Sequence, residues 1–486
     1  MLFDTMGRVL AESSHPYPVL TPQPGWHEHD PQTILEAFLR SLSEILGKAD
    51  SKLLVGIGLS GYYNSIMAVD NRGYPLSNCL LWMDIRSAEE AEDLAKQTAK
   101  YSDTGCPTHP MYPFSKIRWM ERHIPSVFQR AYKFISMKEY IIHKLFREYI
   151  VDSSIASGTG LFNIHSMQWD DEALQMVGLK PAHLSPVHSP LVVLPPMRPY
   201  YANKLGLPKE IPVVLGAGDG VLSSIGVGAI GPHEVDNTLG TGGAVRAIMP
   251  EPILDEKMRT WCYVVMPGRW AVGGVTAGGL ICDWFIRQFM TGELQDKGRR
   301  EEAYSLLDSY AESVGPGSEG LIFLPFLIGT RTPTWDSNAR ATLFGLRFHH
   351  SFRHVVRALL EGVVLERYSA FRAVEEVLGG IETVRASGGF VHSPVWVQIT
   401  ADVYGRPILI PSVTETTALG AAFLAMISIG LAKGLEDIRS IVKIAKVVYP
   451  DPQAHSTYQT LFEIYDRLCR KLVDEFAALR AFREGG

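Results

Sequence analysis

Cysteine is scarce in this chain, and its placement rules out a covalent framework. There are five (Cys79, Cys106, Cys262, Cys282 and Cys469), an odd number with no C-x-x-C pair. That excludes a disulfide scaffold or a structural zinc site and reads as buried, reduced thiols. Long apolar runs are missing too: nothing reaches the about 18 uninterrupted apolar residues that a membrane span needs. The opening MLFDTMGRVL carries Asp4 and no long apolar stretch, so no secretory signal is read. Positive charge is not in excess. The net charge of −6 excludes neither protein nor small-molecule partners, but argues against nucleic acid and membrane surfaces. No G-x-x-x-x-G-K-[ST] occurs, which excludes a P-loop. A cytoplasmic protein is the expectation these absences leave.

What is present is a long, ordinary globular chain. Its 486 residues, 46% hydrophobic and 20% charged, exceed what one core usually holds, so two large domains are expected. Residues 1–3 read as the tail of a strand, Asp4 to Gly7 as a turn, and 8–14 as the next strand. Asp30-Pro31 caps an amphipathic helix to about Leu46. The apolar run 53–59 (LLVGIGL) predicts a strand buried on both faces, and 62–69 predicts another. Helices are read near 86–99, 114–123 and 137–146. A buried strand, 212–215, enters Gly216-Ala-Gly-Asp-Gly220, and a small-residue helix follows to about Gly228. Residues 231–238 read as the passage between domains, dividing the chain into 1–231 and 232–486. Beyond it strands are read near 235–239, 243–248, 261–266, 270–274 and 321–327. Helices are read near 279–290, 299–313, 351–378, 393–403, 416–431 and 454–480. Strands alternating with helices make the class α/β.

Two G-x-G-x-x-G matches, at Gly56 and Gly226, lack the strand–turn–helix context of a dinucleotide site. Leu239-Gly240-Thr241-Gly242-Gly243 is more telling. It joins two strands, and its bare backbone can present N–H groups to a phosphate; the plain alternative is a hairpin turn. Ser387-Gly388-Gly389-Phe390 lies between a strand and a helix. It could bed a nucleotide, or simply be a tight turn. Asp219 stands among glycines at the C-terminal end of a buried strand, where open α/β sheets place their sites. It reads as a helix N-cap or as a carboxylate that accepts a proton from an attacking hydroxyl.

Residues 111–123, MYPFSKIRWMERH, resemble one of the two sequence patterns of the FGGY carbohydrate kinases, at Met111, Pro113, Lys116, Ile117, Trp119, Met120 and His123. Residues 341–361 resemble the second, at Ala341, Leu343, Gly345, Leu346, His354, Val355, Ala358 and Glu361. The runs 105–111, 158–165 and 324–333 look like those of gluconate kinases within the family. The resemblance implies two actin-like (ribonuclease H-like) lobes with a cleft between them, sugar binding in 1–231 and nucleotide binding in 232–486. It implies Asp219 as catalytic base. Trp82, Tyr63, Asn64 and Met111 fall on sugar-pocket positions, and Arg86, His109 and Asn64 are candidates for holding a sugar carboxylate. Gly240, Thr241, Gly242, Gly278, Gly279, Ser387, Gly388 and Gly389 form the nucleotide-binding set. ATP and Mg2+ are the implied cofactors, with no protein metal ligand assigned, and a homodimer is compatible with the family.

Two departures stand out. Family members open with a strand and a D-x-G-T-T-type phosphate turn, and this sequence begins after it, so the first lobe is expected to be N-terminally truncated. Many relatives also carry Met-His where this chain has Tyr63-Asn64. The alternatives are therefore a xylulokinase-like pentulose kinase and a truncated, catalytically inactive homologue.

Overall fold

Strands and helices alternate along the chain and gather into two units. The computed structural model describes residues 1–50, 52–97, 100–207, 211–290 and 300–484. One unit comprises Met1–Ile230, Ile248–Val272 and Glu415–Val442; the other comprises Gly231–Ala247, Gly273–Thr414 and Lys443–Gly486. The strand Trp261–Met266 and the helix Thr416–Ser428 thus pack with the first unit, although the chain reaches them after residue 231.

In the first unit the helix Pro31–Lys48 starts where Asp30 accepts the Thr33 N–H at 2.7 Å, with proline in the first turn. Its Ile34, Leu35 and Leu39 recur at helical spacing and enter a core with Leu59, Met67, Tyr140, Leu145, Val213 and Leu215. Val213–Gly218, buried at every residue, pairs in parallel with Ile57–Gly61. Parallel pairing needs cover on both faces, and the helices Asp219–Gly226 and Thr416–Ser428 are packed closely together beside the pair. A Cβ on Gly420 would meet the Leu222 carbonyl oxygen at 2.0 Å, so that helix contact requires glycine.

Some sequence expectations shift here. The apolar run 53–59 is not one buried strand: Leu53 and Val55 are 76% and 53% exposed, and the strand starts at Ile57. The Leu53 N–H closes a turn on the Asp50 carbonyl, which takes the first half of the run out of the sheet. The strand predicted over 62–69 shortens to Met67–Val69, because Asn64 turns the backbone at φ 60°. By contrast, Val213–Gly218 outlasts its predicted end at Leu215, and the helix begins directly at Asp219. The helix predicted near 86–99 is Ala88–Gln97, and 98–99 lie outside the described residues. The helix predicted over 299–313 is described from Arg300 to Glu312, with residue 299 likewise outside.

The second unit is built on strands in the order Arg269–Ala277, Gly242–Met249, Glu234–Leu239, Thr383–Ser387, Ile408–Pro411 and Ile444–Val448. Glu234–Leu239 and Gly242–Met249 form an antiparallel hairpin, while Thr383–Ser387 lies parallel to Glu234–Leu239 and to Ile408–Pro411. The parallel steps require crossovers, supplied by the buried helix Phe352–Leu378 and by Pro394–Tyr404. The helix predicted to close the chain is two, Pro452–Lys471 and Val473–Glu484.

No disulfide joins the five cysteines, and four of them are buried. Burial pushes the thiols of Cys79, Cys262 and Cys469 up to about 12. Among the described residues no helix is long and apolar enough to cross a membrane.

Candidate active site

Asp219 is the first residue of its helix, and Gly218 is the N-cap. The carboxylate is therefore not the cap. Its Oδ1 accepts the Gly220 N–H at 2.7 Å at the start of the helix. The side chain is half-buried. A Cβ on Gly218 would come within 2.1 Å of the Tyr63 ring, so the ring of Tyr63 lies flush against the backbone that delivers Asp219. Ser154 locks this arrangement. Its hydroxyl bonds the Tyr63 hydroxyl and accepts the Gly218 N–H at 3.2 Å. Ser154 is placed by a short helix whose N-cap, Asp152, accepts the Ile155 N–H and pairs with buried Lys138 at 2.8 Å.

Asn64 and Met111 are drawn together from distant parts of the sequence. Fully buried Lys116 donates to the carbonyl oxygens of both. That explains why a lysine stands inside an otherwise apolar helix face: its charge is spent on two backbone acceptors. Tyr263 packs 5.2 Å from the Tyr63 ring and donates to Tyr112 at 3.0 Å, and burial raises both phenols of that pair well above their ordinary value. His109 is buried, and its Nδ1 accepts the Met111 N–H at 3.1 Å, which puts the proton of the neutral ring on Nε2. His109 also lines a small cavity with Lys100, Thr104, Cys106, Tyr112 and Gly160. Trp82 is half-buried in the turn after the strand Cys79–Leu80.

Arg86 differs from the rest. Its guanidinium pairs with Glu28 and Asp84, each at 2.7 Å, and stacks 3.8 Å from the centre of the Trp26 ring. Its charge is thereby engaged in ion pairs within the first unit.

In the second unit the glycine turns converge. Gly240–Thr241 closes the hairpin, with the Gly240 N–H on the Gly242 carbonyl at 2.9 Å. The Gly279 and Leu280 N–H groups bond back to the carbonyls of Gly240 and Thr241 at 2.8 and 3.1 Å, which brings Gly278 and Gly279 against the turn. Gly388 has φ +89°, and a Cβ there would strike the Leu239 carbonyl at 2.4 Å. The hairpin turn and the Ser387–Gly389 turn are thus in backbone contact. On their other sides Gly240 and Gly389 face open space. Bare backbone with an open face is what a nucleotide's phosphates and ring can approach.

Sequence reasoning missed what ties these turns together. Asp236, fully buried, accepts from Thr238 and Ser387 at 2.8 Å and pairs with Arg246 at 3.1 Å. Its signal was a charged residue at an inward position of a strand. Arg367 was missed as well. It is 0% exposed, its Nε lies 3.1 Å from where a Gly243 Cβ would stand, and its guanidinium carbon lies 5.7 Å from the Phe390 ring. Among the described residues none of its nitrogens has a hydrogen-bond partner, and burial pulls its pKa down to about 10.

The FGGY family of carbohydrate kinases has an N-terminal domain that matches residues 1–226 and a C-terminal domain that matches residues 235–429. The chain belongs to the FGGY carbohydrate kinases. It is 34% identical over 491 residues to a gluconokinase of Bacillus subtilis (strain 168), covering 100% of this chain and 96% of that one. Among solved structures, gluconate kinase from Lactobacillus acidophilus superposes with a TM-score of 0.89 at 30% identity, covering 98% and 96% of the two chains. Ligand-bound xylulose kinase from the same organism gives 0.89 at 31%, with the same coverage. This FGGY kinase is therefore a phosphotransferase of carbohydrate substrates with an α/β, two-unit fold.

Proposed function

We propose that this chain is a cytoplasmic gluconokinase that transfers the γ-phosphoryl group of ATP to the primary hydroxyl of gluconate, giving 6-phosphogluconate. We assign sugar binding to residues 1–231 and nucleotide binding to 232–486. The observation that carries the substrate is the 34% full-length identity to a gluconokinase. The geometry that supports the chemistry is Asp219, held at the end of a buried strand with one oxygen on the Gly220 N–H, and with the preceding Gly218 packed against the Tyr63 ring.

A primary alcohol stays protonated at neutral pH, so the attacking oxygen needs a base within hydrogen-bond reach, and Asp219 fills that role. His109, with its proton on Nε2, and Asn64 supply donors for the sugar carboxylate, while Tyr63, Trp82 and Met111 form the wall against the carbon chain. In the second unit the backbone of Gly240 to Gly242 with Thr241 receives the phosphates, Gly278 and Gly279 buttress that turn, and Ser387 to Gly389 receives the adenosine. Most of the catalysis in phosphoryl transfer is positioning and charge stabilisation. Mg2+, when bound with ATP, would neutralise charge on the phosphates.

The test is a steady-state panel with MgATP and gluconate, xylulose or glycerol. Gluconate should give the highest kcat/KM, and a preference for a neutral sugar would defeat the substrate assignment. Asp219→Asn should lower kcat about 10²- to 10⁴-fold with little change in the sugar KM. Turnover equal to wild type would remove Asp219 from its role.

A further inference from the structure

Three of the fifteen histidines fall within six residues: His349, His350 and His354. The kinase chemistry uses none of them. His349 and His350 lie between the strand Thr342–Phe344 and the helix Phe352–Leu378, and His354 lies in the first turn of that helix. The strand pairs antiparallel with Ile322–Leu324, with Ile322 opposite Phe344. This pairing carries the preceding turn, Ser318–Gly320, to the histidines. Glu319 in that turn has φ +52°, and its Oε2 lies 3.0 Å from His349 Nε2 while its Oε1 lies 3.6 Å from His354 Nε2. One ligand atom each from Glu319, His349 and His350 fits within 4.8 Å of the others. The Nε2 of His350 is buried and, among the described residues, makes no hydrogen bond of close geometry, although the Glu319 backbone lies near enough to act on the ring.

We propose that Glu319, His349, His350 and His354 form a site for a divalent transition-metal ion of the Zn2+ class, separate from the Mg2+ that accompanies ATP. A tetrahedral ion with bonds of about 2.1 Å sets its ligand atoms about 3.4 Å apart. The two Glu319–histidine separations bracket that spacing. Imidazole nitrogens with one carboxylate suit Zn2+, Ni2+ or Co2+, whereas Mg2+ seeks oxygen. The scaffold is also stiff. Buried Glu361 accepts the Gly317 N–H and the Ser318 hydroxyl, both at 2.9 Å, so the turn bearing Glu319 is fastened to the helix bearing His354 before any ion arrives.

Proton placement tunes the site. The Nδ1 atoms of His350 and His354 accept backbone N–H groups of Arg347 and Ser351 at 3.0 and 3.1 Å, so in the metal-free protein their protons sit on Nε2. Coordination through Nε2 moves each proton to Nδ1 and ends those contacts. That cost makes the site one of exchangeable rather than permanent occupancy. His349 and Glu319 are its readiest ligands.

The test uses the full chain, stripped with EDTA and titrated with Zn2+ and Co2+ by calorimetry and visible absorption, in buffer containing excess Mg2+. We expect one ion per chain, tetrahedral Co2+ bands, and a rise in Tm on adding Zn2+. Both His349→Ala and Glu319→Gln should lose binding and the Tm rise while keeping the metal-free Tm and the Mg2+-dependent kinase activity. Wild type that binds no ion, or stoichiometry and bands that persist in both variants, would overturn the site.

Discussion

Arg367 carries a charge that the fold has sealed off from water and, among the described residues, from any hydrogen-bond acceptor, behind the Gly240–Gly243 turn and beside Phe390. Burying a charge that lacks hydrogen-bond partners costs stability, and the attraction of Tyr404 and Glu366 offsets only part of that. An anion bound on the far side of that backbone turn would feel the charge. Arg367→Met, similar in length and uncharged, should leave Tm unchanged or raise it, yet increase KM for ATP several-fold without altering KM for the sugar. Equal effects on both KM values would make the residue merely structural. The same residue shows where sequence reading stops. The glycine turns were legible as close-packed backbone, as at Gly278 and Gly388 where a Cβ would strike a neighbouring strand or turn, and Asp219 by its place at the end of a buried strand. Arg86 and Arg367 were not, because a sequence gives a charge without giving what surrounds it: two carboxylates and a tryptophan for Arg86, a glycine backbone and a phenylalanine for Arg367.

At the level of elements, the helix Met137–Phe146 begins with a capping box in which Ser136 and Glu139 satisfy each other's backbone N–H groups. The box is buried, and desolvation lifts Glu139 from 4.5 to about 7. Between those values the folded state keeps a proton that the unfolded chain has released. Stability should therefore fall as pH rises through that window, by on the order of a few kcal/mol in all, and level off above it. Glu366, lifted to about 7 chiefly by burial, adds a second slope of the same sign. Glu139→Gln keeps the oxygen that accepts the Ser136 N–H, so it should flatten part of the pH dependence, seen as urea midpoints at about pH 5 and pH 8. Identical slopes in the variant and wild type would show that Glu139 titrates normally. Element types were largely readable from periodicity, and Met137–Phe146 and Trp261–Met266 have the bounds that the pattern predicts. The 53–59 run was misread because hydrophobicity alone does not distinguish a strand from the turn that leads into one.

For the whole molecule, the chain order and the packing order differ. The stretches 248–272 and 415–442 cluster with the first unit although they follow the second unit's opening hairpin. No local pattern encodes that exchange; it depends on contacts such as the Cys262 N–H on the Gly105 carbonyl, between residues far apart in sequence. Ligand linkage should report on each unit separately. ADP at about 100 times its Kd should add about 2.7 kcal/mol of stability. Gly388→Val, which drives a side chain into the Leu239 carbonyl, should abolish that gain while gluconate still stabilises the variant. Loss of both responses would mean that the substitution unfolds more than the nucleotide turns.

The buried, weakly acidic thiols have a practical corollary. At neutral pH the native chain should react sluggishly with maleimides, because three of its five sulfurs are pushed up to about 12 and four lie inside. A surface cysteine introduced into either unit would then accept a dye against a quiet background, and its fluorescence could report ligand binding to that unit.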